Sequence, residues 1–292
     1  MPETLHLPEP AFAAEAELET VLARQIGACF AGGRRGTWSE GRLATRSVLC
    51  GRPGGDFHQV LSARGECHTV LVGTVRGPGL LAALAKAVVC GAAQAVGPTV
   101  RSPADLLRHV QQLVEHLNYD LRNQRVFVSM FCAVVDGASK SLRFAAAGSI
   151  HAALRSEPAG SESLENDEVP LGVAGRGSYG VESRSLRSPI RLAICTDGLS
   201  RASTARLKTL GAAGAKRLLY QTLHLQPRAQ VDAVLGAFGR PGLNRAALNE
   251  DITVVSADLG PLGWPQPMDS TAGARRWMVE GEQSADPSVY LG

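Results

Sequence analysis

"LAICTDGLS", Leu192–Ser200, runs an apolar strand straight into a Thr-Asp-Gly turn. Strand interiors favour apolar and β-branched residues, and Asp is depleted there. Asp197 is therefore expected at the rim of a core strand, with Gly198 permitting the tight turn that follows. Two other stretches place an aspartate in the same manner. In "CGRPGGDFHQVL" (Cys50–Leu61) Asp56 follows a Pro-Gly-Gly turn, and in "NEDITVV" (249–255) Asp251 opens the last strand. Taken singly, each fits a hairpin corner with a solvated carboxylate. Together, three carboxylates from distant parts of the chain are what an oxygen-rich site for Mg²⁺ or Mn²⁺ needs, because hard cations select carboxylates and water. Spacing alone does not bring them together, so both readings stand at this point.

Around these aspartates the hydrophobic pattern predicts strands over 43–50, 56–61, 68–75, 126–136, 141–148, 151–156, 178–186, 190–196 and 251–259. "GASK" (137–140) is a hairpin link. Helices are expected over 79–96, 102–123, 205–223 and 227–238. The second is the best marked: Ser102 as N-cap, Pro103 at the first helical position, Asp105 closing a capping box, and a stripe of Leu106, Leu107, Val110, Leu113, Val114, Leu117 and Leu121. Strands run mostly in succession with helices in pairs between them, which favours an α+β layered domain over alternating βαβ units. An amphipathic helix near 11–30 carries Leu18, Val21, Leu22 and Ile26 on one face. That face has no evident internal partner, which points to dimerisation or regulatory docking. The expected organisation is a helical linker over 1–42, one domain over 43–260 and a flexible, proline-rich tail over 261–292.

Composition narrows the class. The 292 residues are 45% hydrophobic and 20% charged, as in a globular protein with a sizeable core. A net charge of +3 without a Lys/Arg block argues against nucleic acid. Cys29, Cys50, Cys67, Cys90, Cys132 and Cys195 are scattered, several inside apolar runs, and read as reduced thiols of a cytoplasmic protein. "MPETLHLPEP" lacks the basic start and apolar core of a secretory signal. "GLLAALAKAVVCGAAQAV" (79–96), interrupted by Lys86, is at the short end of a bilayer span and is read as a buried helix, with no membrane partner expected. The histidines show no metal-ligand spacing.

In order, the motifs "GGDFHQV" (54–60), "GTVRGPG" (73–79), "AAGSIHAAL" (146–154), "PLGV" (170–173), "CTDGLSRA" (195–202) and "EDITVV" (250–255) resemble the PPM superfamily of metal-dependent serine/threonine phosphatases, in its bacterial stage II sporulation E branch. The likeness spans about Leu43 to Leu259. It implies a four-layer α/β/β/α sandwich with two antiparallel sheets flanked by helix pairs. It also implies up to two Mn²⁺ or Mg²⁺ ions, with Asp56 as ligand of one, Asp197 and Asp251 as ligands of the other, and the Val75 backbone carbonyl as a further oxygen. A metal-bound water would be the attacking group, with no side-chain nucleophile, and the partner would be a phosphorylated regulatory protein of the anti-sigma-antagonist type.

The sequence departs from that family at the bridge. The family's Gly-Asp-Val is Gly73-Thr74-Val75, and the lost carboxylate is the one that spans both metals. Two dications ~4 Å apart repel by roughly 16 kcal/mol at an effective dielectric of about 20, and a neutral hydroxyl offsets far less of that than an anion. Arg76 brings a fixed positive charge that could bind a phosphate oxygen or compensate Asp56. His58-Gln59 and Ser149 also replace family residues. Two functions follow: a phosphatase of reduced activity, with Glu250 or a Thr74-held water standing in for the bridge, or a catalytically inactive pseudophosphatase that serves as a protein-binding module. A resemblance of "GGDF" to the diguanylate cyclase signature lacks its second acidic residue and its order of elements.

Overall fold

The computed structural model describes residues 43–48, 50, 55–62, 67–120, 125–156, 159–164, 169–173, 178–202, 209–237 and 250–260, and residues 21, 22 and 25, which are helical. The rest of the expected 1–42 linker and the 261–292 tail lie outside the described residues. Among the described residues, ten strands form two sheets, antiparallel throughout. One sheet orders β2 (Asp56–Ser62), β3 (Cys67–Arg76), β4 (Phe127–Asp136), β5 (Ser141–Ala147) and β8 (Glu182–Ser185). The other orders β1 (Leu43–Val48), β10 (Ile252–Leu259), β9 (Ile190–Thr196), β6 (Ile150–Ser156) and β7 (Gly160–Leu164).

Successive side chains of a strand point to opposite faces, so a strand buried on both sides is apolar throughout. β3 and β4 are of this kind. Val70, Val72, Phe131, Ala133 and Val135 face the second sheet, whereas Leu71, Val75, Val128, Met130 and Cys132 face a helix layer. In the second sheet Ile190, Leu192, Ile194, Val255 and Ala257 meet them in the middle, and Ala193, Cys195, Ile252 and Val254 point outward to other helices. Phe131 stacks on Phe144 in this middle layer, with ring centroids 5.8 Å apart.

Helices α1 (Gly79–Val96) and α2 (Pro103–Asp120) cover the first sheet; α4 (Gly211–Thr222) and α5 (Pro227–Gly236) cover the second. The four-layer sandwich is the architecture expected from the sequence. The buried stripe of α2 is Leu106, Leu107, Val110 and Val114, as its periodicity predicts. Helix α1 is the one described helix long and apolar enough to cross a membrane. It lies on β2 and β3, burying Ala82, Ala85, Val89, Cys90 and Ala93 while Leu84 and Val88 face outward, so only one side of it is interior.

Three local differences from the pattern have simple causes. Strand β7, "GSESL", is a polar edge strand paired only with β6, and its sequence carries no apolar alternation. Strand β8 is confined to the polar "ESRS". The Thr-Asp-Gly turn continues into a single helical turn, α3 (Gly198–Arg201).

Candidate metal centre

All three aspartates lie at the same edge of the sandwich. Asp56 opens β2 opposite Thr74 of β3. Asp197 follows the end of β9, and Asp251 precedes β10 beside it. Two close backbone approaches hold these ends. A Cβ at Gly55 would overlap the Val75 carbonyl oxygen, and a Cβ at Gly198 would overlap that of Asp251. The Val75 N–H donates to the Gly55 carbonyl at 3.0 Å. Glycine at these positions is what lets the loops pack edge to edge.

One hydroxyl ties the sheets together. Thr196 Oγ1 donates to Asp56 Oδ2 at 2.7 Å and accepts the Thr253 N–H at 2.9 Å. Asp251 Oδ1 accepts the Cys50 N–H at 2.9 Å, while its Oδ2 is buried without a hydrogen-bond partner. The three carboxylates are only 5%, 2% and 5% exposed at 56, 197 and 251. Burial pushes the Asp56 carboxyl up to about 7; the Thr196 hydroxyl opposes this and the Asp251 charge adds to it. Burial also raises Asp251, against the Cys50 N–H and the charge of Lys86. These are groups deprived of water and short of positive charge.

Positive side chains instead meet the neighbouring carboxylates of Asp197 and Glu250. Arg76, the last residue of β3, sends Nη1 to Glu250 Oε1 at 3.0 Å and Nη2 to Glu250 Oε2 at 2.7 Å. The same Nη2 donates to Asp197 Oδ2. Arg201 Nε adds a second guanidinium, 3.6 Å from Asp197 Oδ2 and 3.4 Å from Glu250 Oε2. Arg76 thus compensates Asp197 and Glu250 rather than Asp56, whose Oδ2 is engaged by Thr196. The reason is positional: Arg76 ends β3 where the second sheet presents its acidic loops, and a planar fork matches a carboxylate bidentately. Glu250, the proposed stand-in for the bridge, is held by both arginines. Lys86 of α1 is 2% exposed, and its charge acts on Asp56 and Asp251. Sequence reasoning took Lys86 only as an interruption of an apolar run. Its spacing from Ala82, Val89 and Ala93 puts it on the buried stripe, which was the available signal.

This donor set does not fit a pair of divalent cations. Asp197 and Glu250 are spanned by a guanidinium, Thr74 is neutral, and among the described residues no three His, Cys, Asp or Glu side chains are grouped to hold a metal ion.

The family model for stage II sporulation protein E (SpoIIE) matches residues 64–260. The chain belongs to the SpoIIE family. No curated protein matches it. Among solved structures, the chain is similar to the SiaA-PP2C domain of Pseudomonas aeruginosa, with a TM-score of 0.61 at 20% identity, covering 84% of this chain and 97% of that one. It is also similar to the RsbU and RsbW domains of a Mycobacterium tuberculosis protein, with a TM-score of 0.60 at 18% identity over 81% of this chain. It spans 64% of that neighbour's length. A serine/threonine phosphatase of S. agalactiae gives a TM-score of 0.54 at 11% identity, covering 73% of this chain and 97% of that one. These likenesses establish a PP2C-type fold for the chain.

Proposed function

We propose that this chain is a phosphatase-fold regulatory module that binds a phosphorylated regulatory protein without hydrolysing it. The observation that carries the reading is the Arg76 guanidinium lying between Asp197 and Glu250, two carboxylates of the cluster where its family would hold a metal. The partner class is supported by the company of the fold. Solved structures similar to it include a chain that carries RsbU and RsbW domains and a protein of the bacterial stressosome.

Metal-assisted hydrolysis supplies a nucleophile by lowering the pKa of a bound water and neutralises the phosphoryl oxygens. Here the residues do something else. Arg76 and Arg201 neutralise Asp197 and Glu250, Thr196 holds Asp56, and Thr74 brings no charge to the bridge position. The frame that would carry a site is kept, in Gly55, Gly198 and the paired strand ends, and two of its four carboxylates, Asp197 and Glu250, are already paired with guanidinium groups.

The test is release of phosphate from an aryl phosphate and a phosphoserine peptide at saturating Mn²⁺. The expected result is no metal-dependent turnover. Turnover that disappears in Asp197→Ala would overturn the reading and restore the alternative, a metal-dependent phosphatase.

A further inference from the structure

Strands β6, β9 and β10 lie side by side, and their registers pair Arg155 with Arg191 and Arg191 with Asp258. Side chains alternate along a strand, and Ala153, Ala193 and Val254 pack towards the helices that cover this sheet. Arg155, Arg191 and Asp258 therefore form one row on that outer face, where α4 ends. With Pro189, Ile190 and Leu223 the row lines a cleft of about 220 Å³. Arg191 and Asp197 are roughly 20 Å apart along β9 and the turn that follows it, so the cleft is separate from the acidic cluster.

Two features of the row point to an anion. Like charges directly opposite each other on neighbouring strands are destabilising, and Arg155 faces Arg191 in this way. Arg191 is also held in place, with its side chain only 12% exposed. Its Nε donates to Asp258 Oδ1 at 2.5 Å, Nη2 to Asp258 Oδ2 at 2.9 Å and Nη1 to the Leu223 carbonyl at 3.4 Å. A guanidinium has five N–H donors in a rigid fork, so these three bonds leave two. Arg155 brings a second fork to the same cleft.

We infer that this cleft is a binding site for a small organic carboxylate, received between Arg155 and Arg191. The planar fork matches a carboxylate. Volume sets the size class: a cavity of about 150 Å³ takes benzene, whereas drug-sized ligands occupy roughly 300 Å³ or more, which places the ligand among compact acids. Charge favours a monoanion, because Asp258 already occupies one edge of Arg191 and repels a dianion about twice as strongly. The inference goes beyond the phosphoprotein reading and does not depend on it.

The experiment is an NMR titration of the ¹⁵N-labelled full chain at constant ionic strength with sodium benzoate, sodium butyrate, sodium phosphate or sodium chloride. Benzoate or butyrate should give saturable shifts centred on Arg155, Arg191 and Leu223, with chloride giving none. Arg155→Met should weaken that binding about ten-fold or more, the loss of a charge-assisted hydrogen bond. Asp258→Asn should strengthen it several-fold by removing the competing carboxylate, and this variant decides the matter if Arg155→Met does not fold. Absence of saturable shifts with both acids overturns the inference, as does affinity unchanged in the folded variants. Phosphate binding more tightly than either acid overturns the carboxylate assignment. None of these readouts involves phosphate release or Mn²⁺, so turnover of the aryl phosphate would defeat the proposed function and leave the cleft to its own test.

Discussion

Arg76 and Glu250, 174 residues apart in sequence, meet through two parallel N–H···O bonds of 3.0 and 2.7 Å, and the same guanidinium nitrogen also reaches Asp197. This contact joins the end of β3 in one sheet to the loops that flank β9 and β10 in the other. It is an ionic link between the two sheets.

Removing Arg76 leaves Asp197 buried with only the longer contact from Arg201. Breaking a fully buried pair costs roughly 3–5 kcal/mol. The Arg76 side chain is 34% exposed, so solvent screens part of the interaction. Arg76→Ala is therefore expected to destabilise the fold by about 1–3 kcal/mol in urea unfolding, with the loss reduced in an Arg76→Ala/Glu250→Gln background.

Gly198 is fixed by space rather than by dihedral angle, since any Cβ would overlap the Asp251 carbonyl oxygen. Gly198→Ala should cost about 1–3 kcal/mol, the range of a small-to-large change in packed surroundings. Gly180, where a Cβ meets nothing within 4 Å, is the control, and Gly180→Ala should leave the unfolding midpoint nearly unchanged.

His151 of β6 sits opposite Cys195, buried, with Nε2 unpartnered. Burial, helped by the Lys216 charge, lowers its pKa from 6.5 to about 4. The unfolded chain therefore binds a proton that the folded chain refuses between these values. The His151 contribution is fully present above pH 6.5 and is lost as pH falls towards 4. At about 1.4 kcal/mol per unit the loss is at most roughly 3 kcal/mol. His151→Leu should flatten the acid limb of the stability profile relative to the wild type, and that difference between the two profiles isolates this residue from the buried carboxylates.

The layered fold was legible because its strands are apolar on both faces and its best helix is amphipathic. "LAICTDGLS" and "VFVSMFCAVVD" are core strands by composition, and Leu106 to Val114 repeat at helical spacing. Edge strand β7 was not legible, since "GSESL" has no face to hide and takes its conformation from β6. The convergence of Asp56, Asp197 and Asp251 at one edge depends on which strands neighbour which, and no local pattern encodes that. The Arg76 pairing was hidden for the same reason. Its positive charge was visible at position 76, but Asp197 and Glu250 are brought to it only by the packing of one sheet on the other.

The neutral Thr74 and the occupied carboxylates are two separate obstacles to metal. Thr74→Asp alone should not create metal binding, because Arg76 still spans Asp197 and Glu250. Thr74→Asp combined with Arg76→Val should bind Mn²⁺ measurably in a calorimetric titration. Binding by Thr74→Asp alone at the same strength would show that the guanidinium is no barrier.

The central claim is that this acidic cluster is neutralised by its own side chains. Calorimetric titration of the EDTA-treated wild-type chain with Mn²⁺ measures that most directly. Absence of saturable heat is the outcome required, with Arg76 holding Asp197 and Glu250. Saturable uptake of two Mn²⁺ per chain at micromolar affinity would contradict it.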